Sequence, residues 1–273
     1  MICYKDSRVR SKIMKKIKKT QIGLEILKGL ASHGTRIFST SEFRQAASLT
    51  LSNPNYLLEM IHHLRANGWI HQISKGLYHL DQIFLNGIPI HEFEIVMALN
   101  EQAAISHFSA MHYHNLTDQM PLEVFWSIPK SDDMQGYKHK LCYKGTQYHA
   151  IQIKKENFFG IQHIWIGDAK IKITDIEKTL LDGLSCPKYS GGLMEVLHAF
   201  KATELDIEKI IEYALKYNVA TAKRLGWTLD SLGESDITLE KLLQLPTKAY
   251  HKLDVSGKLH GKYNSKWHIV ENI

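Results

Sequence analysis

A helix-length run at 55–67 carries the most legible chemistry in this chain. Leu57, Met60, Ile61 and Leu64 recur at helical spacing and form a stripe to be buried. On the opposite side lie Asn55, Glu59, His62 and Ala66, flanked by Tyr56 and His63. Amide, phenol and imidazole groups supply the donors and acceptors that can read base edges in the major groove of DNA. Elsewhere the reactive residue types are scattered. Sixteen histidines invite a metal site, and His107, His112 and His114 are the densest group. His112 and His114 stand two apart on a predicted helix, so they point in different directions and cannot chelate one ion. There is no H-E-x-x-H and no paired C-x-x-C. Nuclease or nucleotidyl-transfer chemistry needs carboxylates clustered around Mg²⁺. Asp132-Asp133 reads instead as a solvated loop, and Asp168, Asp175 and Glu177 are spaced like turn and capping residues. Neither a P-loop nor a G-x-S-x-G elbow occurs. Gly191-Gly192 beside Ser190 has two readings, a phosphate cradle at a helix N-terminus or a tight turn. Cys3, Cys142 and Cys186 are far apart and odd in number, which fits free thiols in a reducing cytosol. These spacings assign no catalytic residue, no metal and no cofactor. The chemistry to expect is recognition.

Charge points the same way once it is divided along the chain. Residues 1–90 hold 13 Lys and Arg against 5 Asp and Glu, a net +8, whereas residues 91–273 hold 21 against 23, a net −2. Five of the six arginines (Arg8, Arg10, Arg36, Arg44 and Arg65) lie in the first 65 residues. An Arg-bearing positive region on a near-neutral body is the electrostatic footprint of a polyanion-binding module. Most of the excess sits in residues 1–20, at net +7, so a solubilising tail is the other reading. Lys154-Lys155 and Lys223-Arg224, with Lys170 and Lys172, define a possible second basic surface. Acidic residues interleave with them, and the alternative is ordinary surface lysines.

The elements that position these residues follow from periodicity and punctuation. With 273 residues the chain has room for a small and a large domain. A basic arm over 1–20 precedes a helix from Gln21 that places Ile22, Ile26, Leu27 and Leu30 on one face and closes at Gly34. Ile37-Phe38 is a short extended step. A second helix capped from Ser39, Thr40 or Ser41 carries Phe43, Ala46 and Ala47. Ser52-Asn53-Pro54 opens the third helix, and Gly68 stops it. Trp69–Ile73 and Leu77–Leu80 around Ser74-Lys75-Gly76 make a hairpin. Helix, helix, helix, hairpin over 21–85 is the order of a winged helix-turn-helix, with Gly68-Trp69 entering the hairpin and Gly76-Leu77-Tyr78 leaving it. In that arrangement the third helix enters the major groove, and Lys75 on the wing, Arg44 and the Ser52-Asn53 turn face phosphates. A winged helix can also contact protein instead of DNA.

A second domain is expected over 91–273. It begins with a helix through Phe93, Val96, Met97 and Leu99 and another at Ser106–His114. Strand-like runs follow at Leu122–Ile128, Lys140–Tyr143, Tyr148–Ile153, Ile161–Trp165 and Ile171–Ile173. Thr174-x-x-Glu177 reads as a capping box opening Ile176–Leu184. Helices at Leu193–Phe200, Asp206–Tyr217 and Val219–Leu232 come next, then a loop and strand-like tail over 246–273. Strands followed by helices indicate α+β. No apolar run approaches the ~20 residues of a membrane helix, and no apolar segment follows the basic N-terminus as in a secretory signal. A soluble, cytoplasmic protein is expected, with no membrane partner.

Three stretches carry a family resemblance when taken together. Ile105-Ser106-His107-Phe108-Ser109-Ala110-Met111-His112 with Leu116-Thr117-Asp118-Gln119, Ile173-Thr174-Asp175-Ile176-Glu177-Lys178-Thr179-Leu180-Leu181-Asp182, and Lys223-Arg224-Leu225-Gly226 resemble segments of the AbiEi antitoxins of type IV toxin–antitoxin (abortive infection) systems. The chain departs from that pattern in carrying Ile176-Glu177-Lys178 for the usual Pro-Glu-Arg and Asn115 for a frequent Gly. The resemblance implies a transcriptional autoregulator that binds double-stranded DNA at its own promoter, at inverted repeats. It also implies an antitoxin that opposes a nucleotidyltransferase-like toxin encoded beside it, without forming a stable complex. Two other classes remain open: a stand-alone winged-helix transcription factor with a ligand-sensing or oligomerising second domain, and an enzyme such as a nuclease carrying a DNA-targeting domain.

Overall fold

The first apolar-periodic segment forms a helix over 20–32 (α1) whose Ile26, Leu27 and Leu30 are buried. The structure, a computed structural model, describes residues 20–48, 56–130, 140–258 and 260–273. Over these the fold is mixed α+β, divided into two units, Met1–Leu99 and Asn100–Ile273. No helix among the described residues is long and apolar enough to cross a membrane.

In the first unit α1 is followed by β1 (Ile37–Ser39) and α2 (Thr40–Ser48). A reciprocal capping box starts α2: the Ser39 N–H donates to Glu42 Oε2 at 2.6 Å, and the Glu42 N–H donates to Ser39 Oγ at 3.1 Å. Helix α3 (Tyr56–Ala66) ends in a Schellman motif, with Trp69 N–H on Leu64 O and Gly68 N–H on Arg65 O. Gly68 takes φ +75° there, a conformation that any side chain would strain. Strands β2 (Ile70–Ser74) and β3 (Leu77–Leu80) form the hairpin, and β1 pairs antiparallel with β3, so the strand order is β1-β3-β2. Phe38, Phe43, Leu57, Leu64, Ile70 and Leu80 fill the core. Helix α4 (Glu92–Leu99) also belongs to this unit, so the division falls at 99/100 and not at the 91 expected from the sequence. Arg36 ties α4 to this unit: its Nε lies 2.8 Å from Glu94 Oε2, and it also donates to Pro89 O.

In the second unit a six-stranded mixed sheet is built from β4 (Ala104–Ile105), β5 (Glu123–Pro129), β6 (Lys140–Tyr143), β7 (Thr146–Ile153), β8 (Ile161–Ile166) and β9 (Ala169–Thr174). The order is β6-β7-β5-β4-β9-β8, with β5–β7 and β4–β9 parallel and the other pairs antiparallel. Two-residue β4 bridges the halves of the sheet, and nothing in the sequence pattern announces it. Helix α5 (His107–Tyr113) follows β4. The C-terminal half supplies α6 (Ile176–Ser185), α7 (Leu193–Ala202), α8 (Ile207–Tyr217), α9 (Val219–Ser231) and α10 (Asp236–Leu243). A small sheet ordered β10-β12-β11 joins β10 (His251–Lys252), β11 (Lys262–Asn264) and β12 (Ile269–Glu271).

Helix α6 is the hub of this unit. Leu180, Leu181 and Leu184 are fully buried, and so are the polar Lys178, Thr179 and Asp182. Its N-cap is Asp175, whose side chain accepts from Lys178 N–H at 2.8 Å. The Thr174–Glu177 box expected from the sequence does not form. Thr174 Oγ1 meets Thr179 Oγ1 at 2.7 Å, and Glu177 is drawn away to Lys209 Nζ at 2.6 Å. Helix α10 has no counterpart among the expected elements, although Ser235 caps it by accepting from Thr238 N–H.

Candidate functional site

Helix α3 of the first unit presents a mixed face to solvent. On α3 the stripe Leu57, Met60, Ile61 and Leu64 is buried, and Tyr56, Leu58, Glu59, His62, Arg65 and Ala66 are exposed. Leu58, at 69% exposure, places an apolar side chain among the polar ones, the type of group that contacts a thymine methyl. Arg65 donates to Gln72 on β2, which ties this face to the hairpin. The hairpin turn carries Lys75 exposed at its tip. Thr40 N–H at the start of α2 donates to Gly76 O at 2.8 Å, which holds the turn against the helix. Arg44 is exposed on α2.

Of the residues expected to meet DNA, Tyr56, His62, Arg44 and Lys75 are therefore accessible. Ser52, Asn53 and Asn55 lie outside the described residues. His63 departs from its expected role. Its Nε2 lies 2.8 Å from Thr20 Oγ1 on α1, and its ring packs edge-on against Trp69 at 6.3 Å. One residue along a helix is a 100° turn, and that turn moves His63 from the reading face to the seam with α1.

The second unit holds a cavity of about 490 Å³ beside β7, α5 and the 3₁₀ turn Pro187–Tyr189. Lys154 and Lys188 are the cations on its lining, and no lining residue carries a carboxylate. Tyr189 anchors a ring cluster, with His149 at 5.3 Å, His107 at 5.8 Å and Phe125 at 5.9 Å between centroids. His107 opens α5 with φ +52°, a left-handed conformation that is costly for a side-chain-bearing residue and is held here by its surroundings. Its Nδ1 sits 2.8 Å from Ser106 Oγ, which in turn accepts from Ser127 Oγ at 2.8 Å. Complete burial pushes the His107 imidazole down to about 4, with Asp182 opposing, so the ring is neutral at neutral pH. Burial also lowers His149 and raises the Cys186 thiol, which stays protonated.

Behind the cavity Tyr217, which lines it, donates to Asp182 Oδ1 at 2.9 Å. Burial, then the Asp182 carboxylate, raises this phenol well above its ordinary value. Asp182 also pairs with Lys178, both fully buried, and Lys178 Nζ lies over the rings of Tyr217 and Phe159 at 5.1 and 5.3 Å. On the lining itself, the Asn157 side chain is buried and its Oδ1 has no hydrogen-bond partner among the described residues. Sequence reasoning found His107 in the densest histidine group and in a motif, but not in this cluster. It missed His149, Asn157, Lys188 and Tyr189, because no local spacing connects them.

The possible second basic surface does not assemble. Lys154 and Lys155 are exposed, but Lys223 and Arg224 are buried. Lys223 Nζ donates to the Leu242 and Leu243 carbonyls at 2.9 and 3.0 Å, where it satisfies the C-terminal end of α10. Arg224 Nε donates to Lys252 O on β10 at 2.8 Å. Both are internal fasteners, and burial lowers both. Gly191 and Gly192 form a tight turn, since the Gly192 N–H is committed to Pro187 O at 2.9 Å.

No family model and no curated protein matches the sequence. Among solved structures the chain is similar to the Rv2827c protein from Mycobacterium tuberculosis, with a TM-score of 0.61 over 92% of this chain and 91% of that chain. The two are 12% identical, and at that level the likeness speaks for the mixed α+β fold alone.

Proposed function

We propose that this protein is a cytoplasmic DNA-binding autoregulator, with a winged helix-turn-helix over 21–85, that also acts as the antitoxin against a nucleotidyltransferase-like toxin encoded beside it. The observation that carries the DNA-binding part is α3, followed directly by the β2–β3 hairpin: the solvent face of α3 offers Tyr56, Leu58, His62 and Arg65, and the hairpin carries the exposed Lys75. In this reading α3 lies in the major groove, Lys75 and Arg44 face phosphates, and the basic residues of 1–20 add affinity without specificity. The antitoxin part rests on the resemblance to the AbiEi family.

Footprinting on the protein's own promoter tests the first part. His62→Ala with Tyr56→Ala should relax sequence preference by about 1–3 kcal/mol per lost base contact. Retention of full preference by that double variant removes α3 from the groove. The second part is tested by co-expressing the full chain with the neighbouring gene from an unrelated promoter. Relief of growth arrest there cannot come from repression, whereas relief that vanishes with the native promoter leaves a repressor and no antitoxin.

A further inference from the structure

The cavity of the second unit has the composition of a ligand site. Its lining sets two exposed ammonium groups, Lys154 and Lys188, against no carboxylate. Lys154 is engaged only loosely, 3.8 Å from the solvent-exposed Glu156, and Lys188 lies over the Tyr189 ring at 4.6 Å. An anion entering here meets cations that are not already neutralised by a close, buried partner. The carboxylate in the layer behind, Asp182, is taken up by Lys178 and Tyr217.

Charge alone would fit inorganic phosphate, but two features ask for a larger molecule. At about 490 Å³ the cavity is within the range of sites for small organic ligands and far exceeds one phosphate. Its wall is aromatic, with the half-buried rings of Tyr189 and His149 against each other and Phe125 behind them, a surface on which a planar heterocycle stacks. From these features we infer that the cavity binds a nucleoside monophosphate, with the phosphate between Lys154 and Lys188 and the base against Tyr189 and His149. The inference stands on the cavity alone and survives failure of either part of the proposed function.

Calorimetric titration of the full chain with AMP, GMP, CMP and UMP, and with ribose 5-phosphate and inorganic phosphate as controls, tests it. At least one nucleotide should saturate a single site, about tenfold or more tighter than ribose 5-phosphate, and inorganic phosphate should be weaker still. The surface substitutions Lys154→Ala and Lys188→Ala together should weaken that nucleotide about tenfold. No saturation by any of the four nucleotides, unchanged affinity in the lysine variant, or ribose 5-phosphate binding as tightly as the best nucleotide would each overturn the inference.

Discussion

In the first unit Arg44, Arg65 and Lys75 stand exposed, while Glu94 is buried against Arg36. In the second, Lys178, Asp182, Lys223 and Arg224 are all buried, each with a named partner, and Lys154 and Lys188 stay at the cavity rim. The same residue types thus serve two ends. A cation left in water keeps its charge available to a polyanion. One taken into the interior must be fully paired, because desolvation costs several kcal/mol per ion. Lys223-Arg224 and Lys154-Lys155 look alike in sequence, and only their partners separate a fastener from a surface.

The comparison breaks or holds first at the buried pair. Lys178→Met leaves Asp182 buried and uncompensated and should cost about 3–5 kcal/mol in urea denaturation, whereas Lys154→Met, on the surface, should stay within about 0.5 kcal/mol. Equal effects would erase the distinction between fastener and surface lysine. The next largest effect is a pH dependence. His107 titrates near 6.5 unfolded and is held down to about 4 when folded, so the unfolded chain takes up a proton first as pH falls. Stability is full above about 6.5, declines as pH drops toward about 4 and levels off below. The total loss is on the order of 3 kcal/mol, and His107→Gln should flatten that slope.

Packing gives a third measure. A Cβ on Gly226 would run into the Trp267 ring, so Gly226→Ala must displace the buried indole and should cost about 1–3 kcal/mol in thermal or urea unfolding. The smallest effect sharpens the other side of the comparison. Lys75→Ala should leave stability within about 0.5 kcal/mol. It should weaken promoter and non-specific DNA alike and reduce the slope of log affinity on log salt by about 1. A sequence-dependent loss would move Lys75 from the backbone to a base edge.

Elements whose signals are local are legible in the chain itself. The α3 stripe, the hairpin around Lys75-Gly76, the end of α1 at Gly34 and strand β6 at Lys140–Tyr143 follow from periodicity and from φ-positive turns, which neighbouring residues settle among themselves. Even α10 has its start signal in Ser235-Asp236 followed by Leu239 and Leu242. The sequence by itself therefore determined most of the helices and strands, the α+β class and the buried stripe of α3. Tertiary structure alone decided that α4 packs with the first unit, that His63 turns to Thr20, that Asp175 caps α6, and that Lys223 and Arg224 reach inward across 19 and 28 residues of chain. It also decided the cavity, whose His107, His149, Asn157 and Lys188 come from four separate stretches. The physical reason is the same throughout: a backbone turn is chosen by its own residues, but the partner of a buried polar group is chosen by whatever the rest of the chain brings within about 3 Å of it.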